Sequence, residues 1–406
     1  MKKIIYTPED NMNVPIKIWA DNVEDGAIKQ LINLSKLPFI FKHVAAMPDC
    51  HQGYGMPIGG VMATNKVIIP NAVGVDIGCG MCAVKTSLTV KDLDIETLKT
   101  IISKIRDVIP VGFNHHTEQQ KENSMPLFNT LLPFIAREKI DEMKIVAQEF
   151  KSALTQIGTL GGGNHFIEIQ KDTEDNVWIM IHSGSRNLGY KVAKYYNDIA
   201  KKLNKRWHSE VPEEWELAFL PIETKEAYDY LQEMNYCVEF ALANRYLMMD
   251  RIVEVLTEIT EKSLFNKNDT LINIAHNYAR FEHHFGKDVI VHRKGATSAK
   301  LGEIGIIPGS QGTKSYIVRG LGNKESFESC SHGAGRKMGR KAACKNLNLE
   351  EEIQRLDKQN IVHGIRTVND LDEASGAYKD ITTVMQNQND LVEILVELTP
   401  LAVVKG

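Results

Sequence analysis

The chain has 406 residues, 43% hydrophobic and 25% charged, with a formal net charge of -4. This is ordinary globular composition and excludes a collagen-like or natively disordered chain. The small net charge excludes the global basic field of a protein that coats nucleic acid, so any nucleic-acid site has to be a local patch.

The length suits one large domain or two to three smaller ones. No run of about 18 apolar residues predicts a membrane span. Met1-Lys-Lys-Ile-Ile carries two lysines without an apolar core behind them, so no signal peptide is expected. Cys50, Cys79, Cys82, Cys237, Cys330 and Cys344 are scattered. That spacing fits reduced thiols in a cytoplasm better than a disulfide framework.

In chain order, the apolar spacing of Ala27, Leu31, Ile32 and Leu34 predicts a helix over Glu24 to Leu37. A strand at Phe39 to Met47 runs into the glycine-rich loop Pro48-Asp-Cys-His-Gln-Gly-Tyr-Gly. Strands at Val61 to Ile69 and Met81 to Ser87 flank Asn71-Ala-Val-Gly-Val-Asp-Ile-Gly-Cys-Gly-Met81. There Asp76 and Cys79 stand three apart among glycines that allow tight bends or close approach to a ligand. A carboxylate and a thiolate together make a mixed hard and soft donor set, suited to Mn, Zn or Co.

A helix is predicted over Asp92 to Ile109, followed by a polar loop whose His115 and His116 read as solvated. Helices are predicted at Leu127 to Arg137 and Lys144 to Ile157. Gly158-Thr-Leu-Gly-Gly-Gly-Asn-His opens onto a strand carrying Asn164, His165 and Glu168. Asp172 to Asn176 reads as a turn, and Val177 to Ile181 as the return strand ending at His182. Two strands joined by a short turn bring His165 and His182 together at one end.

Helices follow at Tyr190 to Lys202 and Thr224 to Glu261; the Met248-Met249 pair of the second reads as core filling. Strands are predicted at Leu271 to Ala275, ending in His276, then at Val289 to His292, Ile304 to Ile307 and Tyr316 to Arg319. Ser331-His-Gly-Ala-Gly-Arg336 places His332 at the start of a helix over Lys337 to Cys344. Leu391 to Val404 is apolar. No linker or fixed-period repeat divides the chain, so a single α+β domain over residues 1–406 is expected.

One Cys, one Asp and three or four His at strand ends suffice for two divalent ions sharing a bridging thiolate. Gly161-Gly-Gly-Asn-His, Pro308-Gly-Ser-Gln-Gly and the His332 loop offer backbone N–H groups to anionic oxygens, though none is a Walker A or dinucleotide fingerprint. A neutral His332 is a candidate nucleophile toward phosphorus. Arg186, Arg293, Lys294 and Arg340 are candidates for pairing with phosphates.

These motifs, with Met47-Pro-Asp-Cys-His-Gln-Gly-Tyr-Gly, His182-Ser-Gly-Ser-Arg, His276-Asn-Tyr, Arg293-Lys-Gly-Ala, Ala377-Tyr-Lys-Asp-Ile and the terminal Lys-Gly, make the chain resemble the RtcB family of RNA ligases over nearly its whole length. The resemblance implies a distinct α+β fold with a metal and nucleotide site in a central cleft. It implies a cytoplasmic, monomeric enzyme that joins an RNA 3′-phosphate or 2′,3′-cyclic phosphate to a 5′-hydroxyl, using GTP and two Mn(II) ions; an archease-type activator is a candidate partner whose need the sequence leaves open.

By the family pattern Cys79 would bridge the metals, with Asp76 and His165 on one and His182 and His276 on the other. His332 would be guanylylated. Asn164, Glu168, Ser310, Ser315, Tyr378 and Lys405 would hold the guanine nucleotide, with Pro308, Gly309, Gln311, Gly333, Ala334 and Gly335 in the loops around it. Arg186, Lys294 and Arg340 would meet RNA phosphates. The chain departs from the pattern at Cys50, where an aliphatic residue is expected, and at Gln311, where Met is usual. Cys50 would then be an oxidation-sensitive thiol near the metals. A phosphoesterase would need the metal donors without His332, and an RNA-binding protein would need neither as a reactive group.

Overall fold

Near-continuous apolar burial along the central strands builds two large sheets in the computed structural model, which describes residues 1–126, 140–265 and 271–406. The first sheet has the order Lys3–Ile5, Ile16–Ile18, Ile40–His51, Ile58–Thr64, Lys287–Lys294, Asn277–His284. Ile16–Ile18 and Ile40–His51 pair in parallel. The second sheet is antiparallel, in the order Ile272–Ala275, Gly80–Thr89, Asn176–Ser183, Phe166–Lys171, Val392–Lys405, Ser315–Gly320, Ile304–Ile307.

The second sheet is buried on both faces. Alternate side chains point to opposite sides of a strand. Ile167, Ile169, Ile179 and Ile181 therefore pack with Leu98, Ile101 and Ile105 of the helix Ile95–Val108 and with Met248 and Ile252 of the helix Lys225–Thr260. Met81, Phe166 and Met180 face the other way, toward Ile306, Ile317 and Leu398. Met248 and Met249 are both buried, as core filling requires. Asp94 caps the helix Ile95–Val108 by accepting from the Thr97 N–H at 2.7 Å.

The register of the second sheet gathers the chemistry at one end. Phe166 pairs with His182, Met81 with His182, and Ala275 with Gly80. His165, Cys79 and His276 sit at the ends of those strands, and the His276 N–H donates to the Cys79 carbonyl at 2.8 Å. His332 follows the strand Ser329–Ser331, which pairs with Ala296–Ser298.

The mixed α+β architecture agrees with the sequence reading, with local differences. His332 does not begin a helix: the next one is Arg340–Asn346, because Gly333 and Gly335 give the chain a loop there first. The helix expected over Tyr190 to Lys202 runs from Arg186 to Arg206. The strand Asn277–His284 and the helix Leu349–Asp357 were not anticipated. The helix expected over 127–137 lies outside the described residues. No helix among the described residues is long and apolar enough to cross a membrane.

Candidate active site

Donor atoms from four strand ends converge on one point. Cys79 Sγ lies 3.4 Å from His165 Nε2 and 3.3 Å from His182 Nε2. Asp76 Oδ2 is 3.1 Å from His165 Nε2, and His276 Nε2 is 3.4 Å from His182 Nε2. Cys79, His165 and His182 offer ligand atoms all within 4.8 Å of one another. Gly184 lies against the Asp76 carboxylate, where a side chain would collide.

The ring partners decide what faces inward. His165 Nδ1–H donates to the Leu160 carbonyl at 2.9 Å, and His182 Nδ1–H donates to the Asn164 carbonyl at 3.0 Å. A neutral ring with its proton on Nδ1 presents a lone pair at Nε2. Two imidazole nitrogens, a carboxylate oxygen and a sulfur thus meet at one point, a donor set suited to a cation.

The electrostatics point the same way. Burial would raise the Asp76 carboxyl, yet the neighbouring His165 ring holds it at about 2. Burial pushes His182 and His276 well below the ordinary range, which favours their neutral forms. Burial, with the nearby Asp76 charge, pushes the Cys79 thiol well up. A divalent cation reverses that last preference, because a coordinating thiol is deprotonated outright.

His332 stands beside this cluster, its ring centroid 4.7 Å from that of His276. Its Nδ1–H donates to Asp49 Oδ2 at 2.6 Å, and the backbone N–H groups of His332 and Gly333 donate to the same oxygen at 3.1 and 3.3 Å. Burial would raise Asp49, but the charge and hydrogen bond of His332 hold it low. Asp49 thus engages Nδ1, which leaves Nε2 as the ring nitrogen not tied to it. Gly335, at φ 75°, lets the backbone pass close to Asp49; a Cβ there would come within 2.8 Å of Asp49 Cα. Lys379 Nζ donates to the carbonyls of Cys50 at 2.6 Å and Pro48 at 3.3 Å, on either side of Asp49.

Asp76, Cys79, His182, His276 and His332 border one cavity of about 320 Å³. Asn164, Glu168, Pro308, Gly309, Ser310, Gln311, Gly333, Ala334, Gly335, Tyr378 and Lys405 line it too, with Lys294 and Arg340. Ser315 is not in the lining: its Oγ accepts from the Gly309 N–H at 3.1 Å and from Gln170 Nε2 at 3.2 Å, so it braces the 308–315 loop from behind. Arg186 also lies outside the lining, with Nε donating to Thr159 Oγ1 at 3.1 Å.

Charged groups in the wall are already paired. Glu168 accepts from Gln170 Nε2 at 2.5 Å, and burial raises its carboxyl to about 8. Lys405 Nζ donates to the His165 carbonyl at 3.1 Å, and burial, opposed by Glu373, lowers its amine to about 8. Glu373 accepts from Arg336 and Arg340 at 2.6 Å each and from the Tyr378 hydroxyl. Lys294 is buried, which lowers its amine to about 7.

Three readings from charge or composition alone are corrected. Arg293 is fully buried and bonds Glu282, so it faces no phosphate. Cys50 is buried among Leu31, Leu34 and Met56, and that burial raises its thiol to about 12, which makes it a poor oxidation site. His116 is tied down by Arg251 at 2.7 Å and does not stand free in solvent. Asp49, Glu373 and Lys379 were missed. Asp49 lay within the quoted Pro-Asp-Cys-His stretch, where a lone acid among glycines was its only signal.

The model of the family described as tRNA-splicing ligase RtcB matches residues 30–406. The chain is 43% identical to the RNA-splicing ligase RtcB of Escherichia coli (strain K12), covering 97% of this chain and 98% of that protein. It is 33% identical to the tRNA-splicing ligase RtcB of Nanoarchaeum equitans (strain Kin4-M), covering 98% and 96%. The tRNA-splicing ligase RtcB of Thermococcus kodakarensis (strain ATCC BAA-918 / JCM 12380 / KOD1) is 31% identical, again covering 98% and 96%.

Proposed function

This chain belongs to the RtcB family, and from that premise we propose that it is a GTP- and Mn(II)-dependent RNA ligase. It joins RNA 3′-phosphate or 2′,3′-cyclic phosphate ends to 5′-hydroxyl ends, in RNA splicing or repair. The observation that carries the reading is His332, its Nδ1 held by Asp49, beside a convergent Cys, Asp and His donor set.

Asp76, Cys79, His165, His182 and His276 would hold two Mn(II) ions, which when bound supply the charge that neutralises triphosphate and transferring phosphoryl oxygens. His332 Nε2 attacks the α-phosphorus of GTP. An N–P bond forms, the P–O bond to pyrophosphate breaks, and Asp49 stabilises the charge that develops on the ring. GMP then passes to the RNA 3′-phosphate, and the electron pair of the N–P bond returns to Nε2. The 5′-hydroxyl attacks the activated 3′-phosphate, loses its proton, and displaces GMP. A cyclic phosphate end is first hydrolysed to the 3′-phosphate. Glu168, when ionised, accepts from the N–H groups of guanine, which adenine cannot offer in the same pattern; a buried acceptor left unpaired penalises the wrong base.

The experiment is incubation of purified protein with Mn(II) and GTP, followed by intact-mass detection, for wild type and His332→Ala. The expected result is a GMP adduct on the wild type only. No adduct despite bound metal and bound GTP would sink the reading.

A further inference from the structure

Tyr54 is 71% exposed and Val75 52% exposed, yet both line the cavity that holds Cys79, His182 and His276. They stand on two different loops, joined by one buried amine. Lys294 Nζ donates to the Tyr54 carbonyl at 2.5 Å and to the Asn71 carbonyl at 3.0 Å, while its stem lies against Gly74.

The backbone beneath Tyr54 is held on both sides. The Gln30 side chain accepts from the Gly53 N–H at 3.1 Å and donates to the Gly53 carbonyl at 2.6 Å. The Met56 N–H donates to the Tyr54 carbonyl at 2.7 Å. An exposed ring on a fixed base, lining the same cavity as an exposed aliphatic side chain, is an apolar surface that a ligand can cover. Unpaired nucleobases are recognised by stacking on such rings, because every base has a π face.

We infer that Tyr54, on the cavity it shares with Val75, is a stacking platform for the base of the terminal nucleotide of the RNA end brought to the metal cluster. This rests on the RNA-ligase reading above. The guanine of GTP is a poorer occupant: Glu168 and Lys405, which would read it, belong to the paired strands Phe166–Lys171 and Val392–Lys405, not to the loops that Lys294 joins. Stacking reads no base edge, so the platform accepts any of the four bases and sets the direction of the terminal ribose.

The test is a binding cycle that needs no turnover. Full-length wild type, Tyr54→Ala, Tyr54→Leu and Tyr54→Phe are titrated with short single-stranded RNAs. One set ends in a 3′-phosphate and the other begins with a 5′-hydroxyl, each with its terminal nucleotide intact or abasic. Removing the base should weaken wild-type binding about tenfold, the scale of one stacked base. Tyr54→Ala and Tyr54→Leu should bind intact RNA about tenfold more weakly and be indifferent to the abasic change, while Tyr54→Phe binds like wild type. The set that shows the effect identifies which strand end is seated there. Equal losses for Tyr54→Ala on intact and abasic RNA would overturn the subsite, as would wild-type affinity in Tyr54→Ala. The GMP adduct, which needs no RNA, is read in parallel. Its absence would remove the nucleotidyl-transfer reading while the binding cycle still decides the subsite.

Discussion

Asp49 and His332 are 283 positions apart and meet at 2.6 Å, carboxylate to imidazole. The same carboxylate oxygen takes two backbone N–H groups from the loop that carries His332, so one side chain sets the ring's tautomer, its orientation and the path of the chain beneath it.

Asp49→Asn keeps the shape and removes the charge. Formation of the GMP adduct should slow by roughly 10²–10⁴-fold, the scale of mis-set tautomers in histidine catalysis. Metal content and GTP affinity should stay near wild type. The time course of the intact mass checks this, and a wild-type rate would show that Asp49 only braces the loop.

Cys79 Sγ reaches the Nε2 atoms of both His165, at 3.4 Å, and His182, at 3.3 Å. Cys79→Ala should therefore lose most bound metal after dialysis, whereas His332→Ala should retain it while making no adduct. Elemental analysis of both variants beside wild type decides the point. Full metal content in Cys79→Ala would place the ions elsewhere.

The pH dependence follows from Glu168, which burial raises from 4.5 to about 8. Between those values the folded protein keeps a proton that the unfolded chain releases. The contribution of Glu168 to stability is thus full below about pH 4.5 and lost as pH rises through about 8. Guanine needs the ionised form, so GTP affinity should run the other way and strengthen as pH rises toward 8. Glu168→Gln should flatten both profiles and weaken GTP binding. Titrations and thermal unfolding across this range, for both proteins, provide the check.

Arg293 and Glu282 form a buried ion pair, 0% and 4% exposed, with an Nη2 to Oε2 distance of 3.0 Å. Glu282→Gln leaves the guanidinium buried without its counter-charge. Stability should fall by about 3–5 kcal/mol, read by denaturant unfolding. A loss under about 1 kcal/mol, the range of exposed pairs, would mean that solvent reaches the pair.

Much of the site was legible because its parts are local. The pairing of His165 with His182 follows from a short turn between two apolar strands, and the structure places their ring centroids 5.2 Å apart. Asp76 and Cys79 declared themselves by residue type among glycines. Arg293 and Lys294 looked like any surface cations, and adjacent alternation sends them to different fates: one into a core ion pair, the other beneath the cavity mouth.

By itself, then, the sequence determined the strand-end motifs, the donor types and the hairpin that joins two of the ligands. Connectivity over a few residues dictates register and the side to which each residue points. The tertiary structure alone decided that Asp49 holds His332, that Lys379 holds the carbonyls around Asp49, and that Tyr54 stands bare at the cavity mouth. Those contacts join segments separated by hundreds of residues or depend on what covers a loop. They follow from how the two sheets and their loops pack, which no local period encodes.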